Sequence, residues 1–369
     1  RALRIIMSYS VTFPYQAEIP IHFGEKDLLG RGATANAYKI VIKTENFAVK
    51  IFHKNAIIDE PRLIYMVSLC QKQNPDVNTQ SNENLLKITE TNAWPIGIVK
   101  NNNKVCGFVM TLKAENEFYD IEYLYNTVYK TKLKNKDLKA LTIKAEIAKN
   151  LAAAVAALHE ANIYIIDQKP QNIKISYSDN TVSFLDCDGF SFTEPDGARH
   201  PAHLISTDYI SPEAMRSQTA PSDLGIEQDR YSLAVIFFQL LNRGIHPFQG
   251  IVEDSSVDAN TNDEKAKLGL YPYGLTPNLR IKPNQTSFHT FFPIQLRKLF
   301  DRAFDGPAGS RPSAEEWRDY FSNLIKNNAF LRCTKKRNSI EHIHFKGSGC
   351  FSCNLENKKL VVPPQPDPI

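Results

Sequence analysis

The chain has 369 residues, 42% of them hydrophobic and 23% charged, with a formal charge of +4. That balance is ordinary for a soluble globular protein and leaves room for one large domain or two moderate ones. It lends no support to a nucleic-acid-binding surface, and no run reaches the roughly 18 apolar residues a membrane span needs.

The opening RALRIIMSYS carries neither the apolar stretch nor the cleavage site of a signal peptide, and Arg1–Ile6, ahead of Met7, read as non-native residues. From 27 to 112 the pattern is strand-like: LLGRGATANAYKIVIKT, then NFAVKIF, then IGIVKNNNKVCGFVMTL, whose Asn101–Asn103 signals a hairpin. Between the last two segments, LIYMVSLC is long enough for one short helix. From about 136 the period changes, and Ile147, Leu151, Ala154, Val155 and Leu158 share one face of a helix. A loop, two short strands (IKISYS, TVSFLD) and mainly helical segments follow to about 327. Residues 328–369 differ: CTKKRNSIEHIHFKGSGCFSCN leads into a proline-rich PPQPDPI that reads as disordered. Six cysteines in so long a chain do not make a disulfide framework; Cys70, Cys106 and Cys187 read as core residues, and a reducing, cytoplasmic compartment fits.

Gly30 and Gly32 lie in a turn between two strands, with Ala35 where a third glycine would complete G-x-G-x-x-G. Such a loop is either a plain glycine hairpin or one whose backbone N–H groups approach phosphate oxygens. Lys50, at the end of the returning strand, is placed to meet the same phosphates. In IYIIDQKPQNIKI, Asp167, Lys169 and Asn172 are set among isoleucines, and Pro170 stops a helix from running through them. Asp186 follows fourteen residues after Asn172 in FLDCDGF. Then come SPE at 211–213, DRYSLAVIFFQLLNRGIHPF at 229–248 and RPSAEEW from Arg311.

In this order and at these separations the segments resemble a protein kinase over roughly residues 20–327. The resemblance implies an α+β, two-lobed fold, with an antiparallel β-rich N-lobe at 20–113 and a helical C-lobe at 114–327. It implies a nucleotide seat made of Leu29, Gly30, Gly32, Ala33, Thr34, Ala35, Ala37, Ala48 and Lys50, with Met110, Thr111 and Leu112. It makes Asp167 the catalytic base, Lys169 its companion at the γ-phosphate, and Asn172 and Asp186 the Mg²⁺ ligands. Asp229 is expected to anchor the catalytic loop and Arg311 to pair with Glu213. The chain also departs from the pattern. Ile165–Ile166 replace the usual His-Arg, so control by loop phosphorylation is not expected. Asp186–Cys187–Asp188 replaces Asp-Phe-Gly, and a register through Asp188–Gly189–Phe190 competes with it. Glu60 stands where the helix glutamate partner of Lys50 belongs, but Pro61 puts it at the helix start.

AWP at 93–95, GFVM at 107–110 and the Cys/His tail resemble one group of bacterial kinases. That group is encoded beside metal-dependent Ser/Thr phosphatases and von Willebrand-type proteins, as in tellurite-resistance clusters. A cognate phosphatase and a von Willebrand-type protein are therefore implied partners. In the tail, Cys350–Cys353 with Cys333 and either His342 or His344 make four soft ligands for tetrahedral Zn²⁺ over 328–357; the group favours His342. The C-x-x-C also fits a redox pair or plain exposed thiols. Residues 358–369 form the Pro-rich tail. The activity implied is ATP- and Mg²⁺-dependent transfer to Ser/Thr hydroxyls of proteins, autophosphorylation included. The competing readings are a pseudokinase that binds nucleotide as a regulatory or scaffold module, and a small-molecule kinase.

Overall fold

The computed structural model describes residues 9–357 apart from 15, 71–78, 126–132 and 134. The expectations for Arg1–Ile6 and for the Pro-rich tail lie outside the described residues. The chain divides into two compact units, residues 1–118 with 183–190 and residues 119–182 with 191–369.

The first unit is built on a seven-stranded antiparallel sheet of β1 (Tyr9–Thr12), β2 (Ile19–Ile21), β3 (Leu28–Arg31), β4 (Ala35–Ile42), β5 (Glu45–Phe52), β6 (Pro95–Asn101) and β7 (Lys104–Thr111), in the order β2-β1-β6-β7-β5-β4-β3. Alternation sets its faces: along β4, Ile40 and Ile42 are buried while Lys39 and Val41 are exposed. Val11, Ile40, Val49, Val99 and Val109 close the core on that side. The β6–β7 hairpin turns on Asn102 (φ 49°) and Asn103 (φ 63°), a left-handed pair that asparagine tolerates well. β1 and β2 were not legible as strands, because β2 is a three-residue edge strand with Pro20 at its centre.

Helix α1 (Glu60–Ser68) is the short helix expected from LIYMVSLC, displaced toward its N-terminus. Asp59 caps it by accepting from the Arg62 N–H at 3.0 Å, and Pro61 falls in the first turn, where its missing N–H costs nothing. Leu63, Met66 and Val67 are its buried face. Helix α2 (Thr79–Thr91) has a polar start without apolar periodicity and gave no signal in the sequence. At its start the segment 183–190 joins this unit through the Phe184 N–H to Asn92 Oδ1 (2.8 Å), the Ala93 N–H to the Phe184 carbonyl (2.9 Å), and Ser183 Oγ to the Thr91 carbonyl (2.6 Å).

The second unit is helical: α3 (Leu141–Glu160), α4 (Pro212–Ser217), α5 (Ile226–Leu241), α6 (Asn262–Lys267), α7 (Ile294–Phe304) and α8 (Ala314–Lys326). Helix α5 is buried on nearly every face, which explains its unbroken SLAVIFFQLL. It packs on α3 and α7, and α8 packs on α3. Phe238 sits among the rings of Tyr273 and Phe300, each 5.0 Å away, and Trp317 is wholly buried between Phe237 and Phe321. Each such ring contributes about 2–3 kcal/mol by leaving water. This unit also holds short hairpins (192–193 with 199–200, and 250–252 with 281–283), and towards its end a further hairpin (330–332 with 343–345) and a short helix (351–357). Among the described residues no helix is long and apolar enough to cross a membrane.

Candidate functional site

Three groups of chemistry-bearing residues stand out, one in the first unit and two in the second. In the first unit β5 carries Lys50 with its side chain 14% exposed. Its ammonium lies 2.8 and 3.1 Å from the two carboxylate oxygens of Asp188 and 3.1 Å from Asp186 Oδ1. Burial pulls the ammonium's pKa down, but the Asp188 and Asp186 charges outweigh that and hold it above the usual lysine value. Glu60 is exposed and makes no ion pair with Lys50, whose partners are the two aspartates.

The two aspartates differ in environment. Asp188 is 14% exposed and gives both oxygens to the lysine; Asp186 is 59% exposed and gives one. Asp186 has a left-handed backbone (φ 52°), which turns its carboxylate out of the line of the preceding strand. Between them Cys187 points inward, 1% exposed, its thiol donating to the Phe184 carbonyl at 3.4 Å. Burial and the two carboxylates push that thiol well above its ordinary pKa, so it stays protonated. Phe190, 2% exposed, packs edge-on against Trp94 and Phe184 and supplies an aromatic plug three residues after Cys187, which stands at the usual aromatic position.

Arg62 was not foreseen. It is 3% exposed on α1, and its Nη1 donates to the carbonyls of Asp188 (2.9 Å) and Phe190 (3.0 Å), fixing the backbone that presents Asp188. The one available signal was an arginine four residues before Met66, on the apolar face of a short helix. In the turn between β3 and β4, the Gly32 N–H donates to the Ala35 carbonyl at 2.8 Å, and His53 Nε2 donates to the Gly32 carbonyl at 3.0 Å. A Cβ on Gly32 would meet Ala35 O at 3.0 Å, so the close turn favours glycine there. Ala37 pairs with Lys50 across β4–β5, and Ala48 with Met110 across β5–β7, which places the expected nucleotide-seat residues along adjacent strands.

In the second unit the loop after α3 carries Asp167, Lys169 and Asn172 together. The Ser206 N–H donates to Asp167 Oδ1 at 2.8 Å, and Lys169 Nζ reaches Asp167 Oδ2 at 2.6 Å and Ser206 Oγ at 3.0 Å. Asn172 Nδ2 donates to the Asp167 carbonyl at 3.4 Å. Ser206 was also missed, since nothing in its flanking sequence singles it out. Ile166 has φ 61°, a costly backbone for a β-branched residue. It is held there by Asp229, which is wholly buried on α5 and accepts from the N–H groups of Ile165 (2.8 Å) and Ile166 (2.7 Å) and from His159 Nε2 (3.0 Å). Arg311 grips Glu213 with two parallel bonds of 2.5 and 2.7 Å.

The tail gathers a third group. Cys333 follows the first strand of its hairpin and His342 precedes the second, so the loop end of the hairpin brings them together, the Cys333 N–H donating to the His342 carbonyl at 3.2 Å. Gly347, with φ 85°, turns the chain toward Cys350, and Cys353 lies one helical turn on. One ligand atom from each of Cys333, His342, Cys350 and Cys353 falls within 4.8 Å of all the others. His342 Nδ1 is 3.4 Å from each of the Cys350 and Cys353 sulfurs, and the Cys333 and Cys353 sulfurs are 3.5 Å apart. A tetrahedron with metal–sulfur bonds of about 2.3 Å has edges of about 3.7 Å, so the donors fit a Zn²⁺. His342 Nε2 faces Glu356 at 3.4 Å, which leaves Nδ1 as the atom turned toward the thiols. His344 lies outside the group, its Nδ1 against the Phe345 carbonyl. All six cysteines are free.

Residues 23–344 match the protein kinase domain. Over 346 residues the chain is 24% identical to the protein kinase YegI of Escherichia coli, an alignment covering 90% of this chain and 49% of that one. An Aurora kinase of Eremothecium gossypii is 31% identical over 129 residues, 35% of this chain and 33% of that protein. A rice calcium and calcium/calmodulin-dependent serine/threonine-protein kinase is 33% identical over 176 residues, 46% of this chain and 29% of that protein. The chain thus spans about half the length, or less, of these curated relatives.

Proposed function

Since the chain belongs to the protein kinase family, we propose that it transfers the γ-phosphoryl group of ATP to Ser and Thr hydroxyls of proteins, itself included. The observation that carries this reading is the state of Asp167: one carboxylate oxygen is fixed by a backbone N–H and the other by Lys169. A base held by two donors does not wander, and orienting the acceptor hydroxyl is most of what the protein can add to a loose phosphoryl-transfer transition state.

Asp167 then takes the hydroxyl proton, and Lys169 moves from the carboxylate toward the charge developing on the transferred group. Lys50 holds the α- and β-phosphates. Asp186 and Asn172 would hold Mg²⁺; the exposed, singly engaged Asp186 carboxylate keeps lone pairs for a hard cation. Bound Mg²⁺ would neutralise charge on the phosphate oxygens. Asp188 takes the place of the helix glutamate as the buried counter-ion of Lys50, with Arg62 as the positioning residue behind it. The loop and strand residues Leu29–Ala37, Ala48 and Met110–Leu112 are proposed as the seat of the nucleotide.

The proposed organisation is an N-lobe at 20–113, a C-lobe at 114–327, a zinc module at 328–357 and a Pro-rich tail at 358–369. One Zn²⁺ on Cys333, His342, Cys350 and Cys353 leaves no open position and serves structure alone. A cytoplasmic setting, a partner phosphatase and a von Willebrand-type partner go with this reading.

The test is transfer from labelled ATP with Mg²⁺ to the chain itself and to a basic protein acceptor. Asp167→Ala should lower transfer about 10²–10⁴-fold while leaving nucleotide binding intact, because the base touches the acceptor and not ATP. Wild-type transfer no faster than that of the variant would establish a pseudokinase instead.

A further inference from the structure

A cavity of about 240 Å³ lies in the second unit beside the first turn of α3, walled by that helix, the end of α5, the 288–292 segment and the Cys/His tail. Much of its wall is apolar, with Leu124, Leu241, Phe288 and Phe351 among the lining residues. Three cations also line it: Lys139, Lys144 and Arg243. Among the described residues the carboxylates on its wall are Glu341 and Glu356, and Glu356 is engaged with Lys336 at 2.9 Å and His342 at 3.4 Å.

Lys144 is the unusual member. It is 8% exposed, it lies one turn inside α3, and among the described residues it has no hydrogen-bond or ion-pair partner. A buried ammonium without a counter-charge is costly, and its charged neighbours here, Lys139 and Arg243, repel it. Desolvation and those two cations bring its pKa down to about 7. Arg243 lies over the Phe288 ring at 5.7 Å, and burial lowers its pKa against the partial support of Glu341. The start of α3 adds to the positive field, since Ala140 stands at the cap position and no side chain satisfies the first-turn N–H groups. Unmet positive charge at a helix N-terminus, backed by aromatic walls, is the inverse image of an anion with an apolar body.

We propose that this cavity binds a small amphiphilic anion, a carboxylate or phosphate monoester on an alkyl or aryl body. Its head meets Lys144, Arg243 and the first turn of α3, and its body lies on Phe288 and Phe351. Because one wall is α3 and another is the metal-binding tail, the ligand docks the tail onto the helices. The site is separate from the phosphoryl-transfer residues and does not depend on that activity.

Calorimetric titration of the full chain with phenyl phosphate and with hexanoate tests this, with 1-hexanol as the neutral analogue. At least one of the two anions should bind saturably while hexanol does not, and the one that binds identifies the head group. Lys144→Met should weaken binding about tenfold or more, the loss expected for one charge-assisted hydrogen bond. Lys50→Met, which disables the nucleotide lysine, should leave this binding unchanged. Relief of a buried charge should keep the thermal midpoint of unliganded Lys144→Met at or above wild type; if that variant does not fold, Arg243→Gln supplies the same comparison. Saturable binding of neither anion, or equal affinity in the cation variants, overturns the proposal, as does loss of binding in Lys50→Met.

Discussion

Ile166 shows how far a single residue's geometry depends on another that is distant in sequence. A β-branched residue at φ 61° gives up of order 1–3 kcal/mol, and the three donors gathered by Asp229 offset it. Asp229→Asn keeps the shape but replaces one acceptor oxygen by a donor facing an N–H. Denaturant unfolding should show a loss of about 2–4 kcal/mol, and transfer activity should fall with it even though Asp229 touches no substrate. The proposed division of labour between Asp186 and Asp188 is also testable at this scale. Asp186→Asn should weaken Mg²⁺-dependent ATP binding much more than Asp188→Asn does, since only Asp186 keeps an oxygen that Lys50 does not engage. Asp188→Asn should instead loosen Lys50 and raise KM for ATP at every Mg²⁺ concentration. A reversed ranking would move the metal ligand to Asp188. The gathering of Asp167 with Lys169 and Asn172, the hold of Asp229 on that loop and the Arg311–Glu213 pair were all legible in the sequence, because each rests on a residue type at a fixed spacing. Arg62 and Ser206 were not, because a backbone-directed bond sets no residue type in the partner it binds.

Among the elements, α1 contributes a cation that grips a backbone where the kinase pattern has an anion that grips its lysine. The lysine's counter-ion therefore rides on the 183–190 segment, and α1 acts on it only through Arg62. Arg62→Met should retain most nucleotide affinity yet lower the transfer rate by about tenfold, the cost of one charge-assisted bond. Arg62→Lys should rescue only in part, since an ammonium is not the fork that reaches two carbonyls. The tail hairpin is too short to stand alone: its apolar residues cannot build a self-sufficient core, and metal ligation of roughly 10 kcal/mol or more would supply the difference. Elemental analysis should return about one zinc per chain under a four-ligand scheme, falling sharply in Cys350→Ser. Amide exchange at Lys346, whose N–H donates to the Ala329 carbonyl at 2.7 Å, should accelerate in the same variant. Metal-free protein with a protected hairpin would refute this. The C-x-x-C knuckle was plain in the sequence; the choice of histidine was not, because both lie within three residues and only the hairpin register separates them.

Over the whole molecule, acid sensitivity is expected to concentrate in buried imidazoles. His246 is 4% exposed, its Nδ1 accepts from the Phe248 N–H at 3.2 Å, and its Nε2 donates to the Asp208 carbonyl at 3.1 Å. Both nitrogens are committed to the neutral ring, and desolvation lowers its pKa from 6.5 to about 4. The unfolded chain thus binds the proton more readily than the folded one. His246 contributes stability that is full above pH 6.5 and is lost as pH falls toward 4, by up to about 3 kcal/mol. The pH dependence of unfolding should be shallower in His246→Gln over that window, though its stability at pH 7 is lower. An unchanged slope would show that other groups govern the acid limb. The change from strands to helices was readable because the apolar period shifts from two to 3.6, whereas β1, β2 and α2 lack any period and take their form from neighbours. The thiol cluster carries a last consequence. Its sulfurs lie close enough to react with one another once nothing else occupies their lone pairs, so a bound metal would act as their protecting group. If chelation is followed by air, a disulfide captures the ligands and returned metal finds no seat; with reductant kept present throughout, the same stripping is reversible.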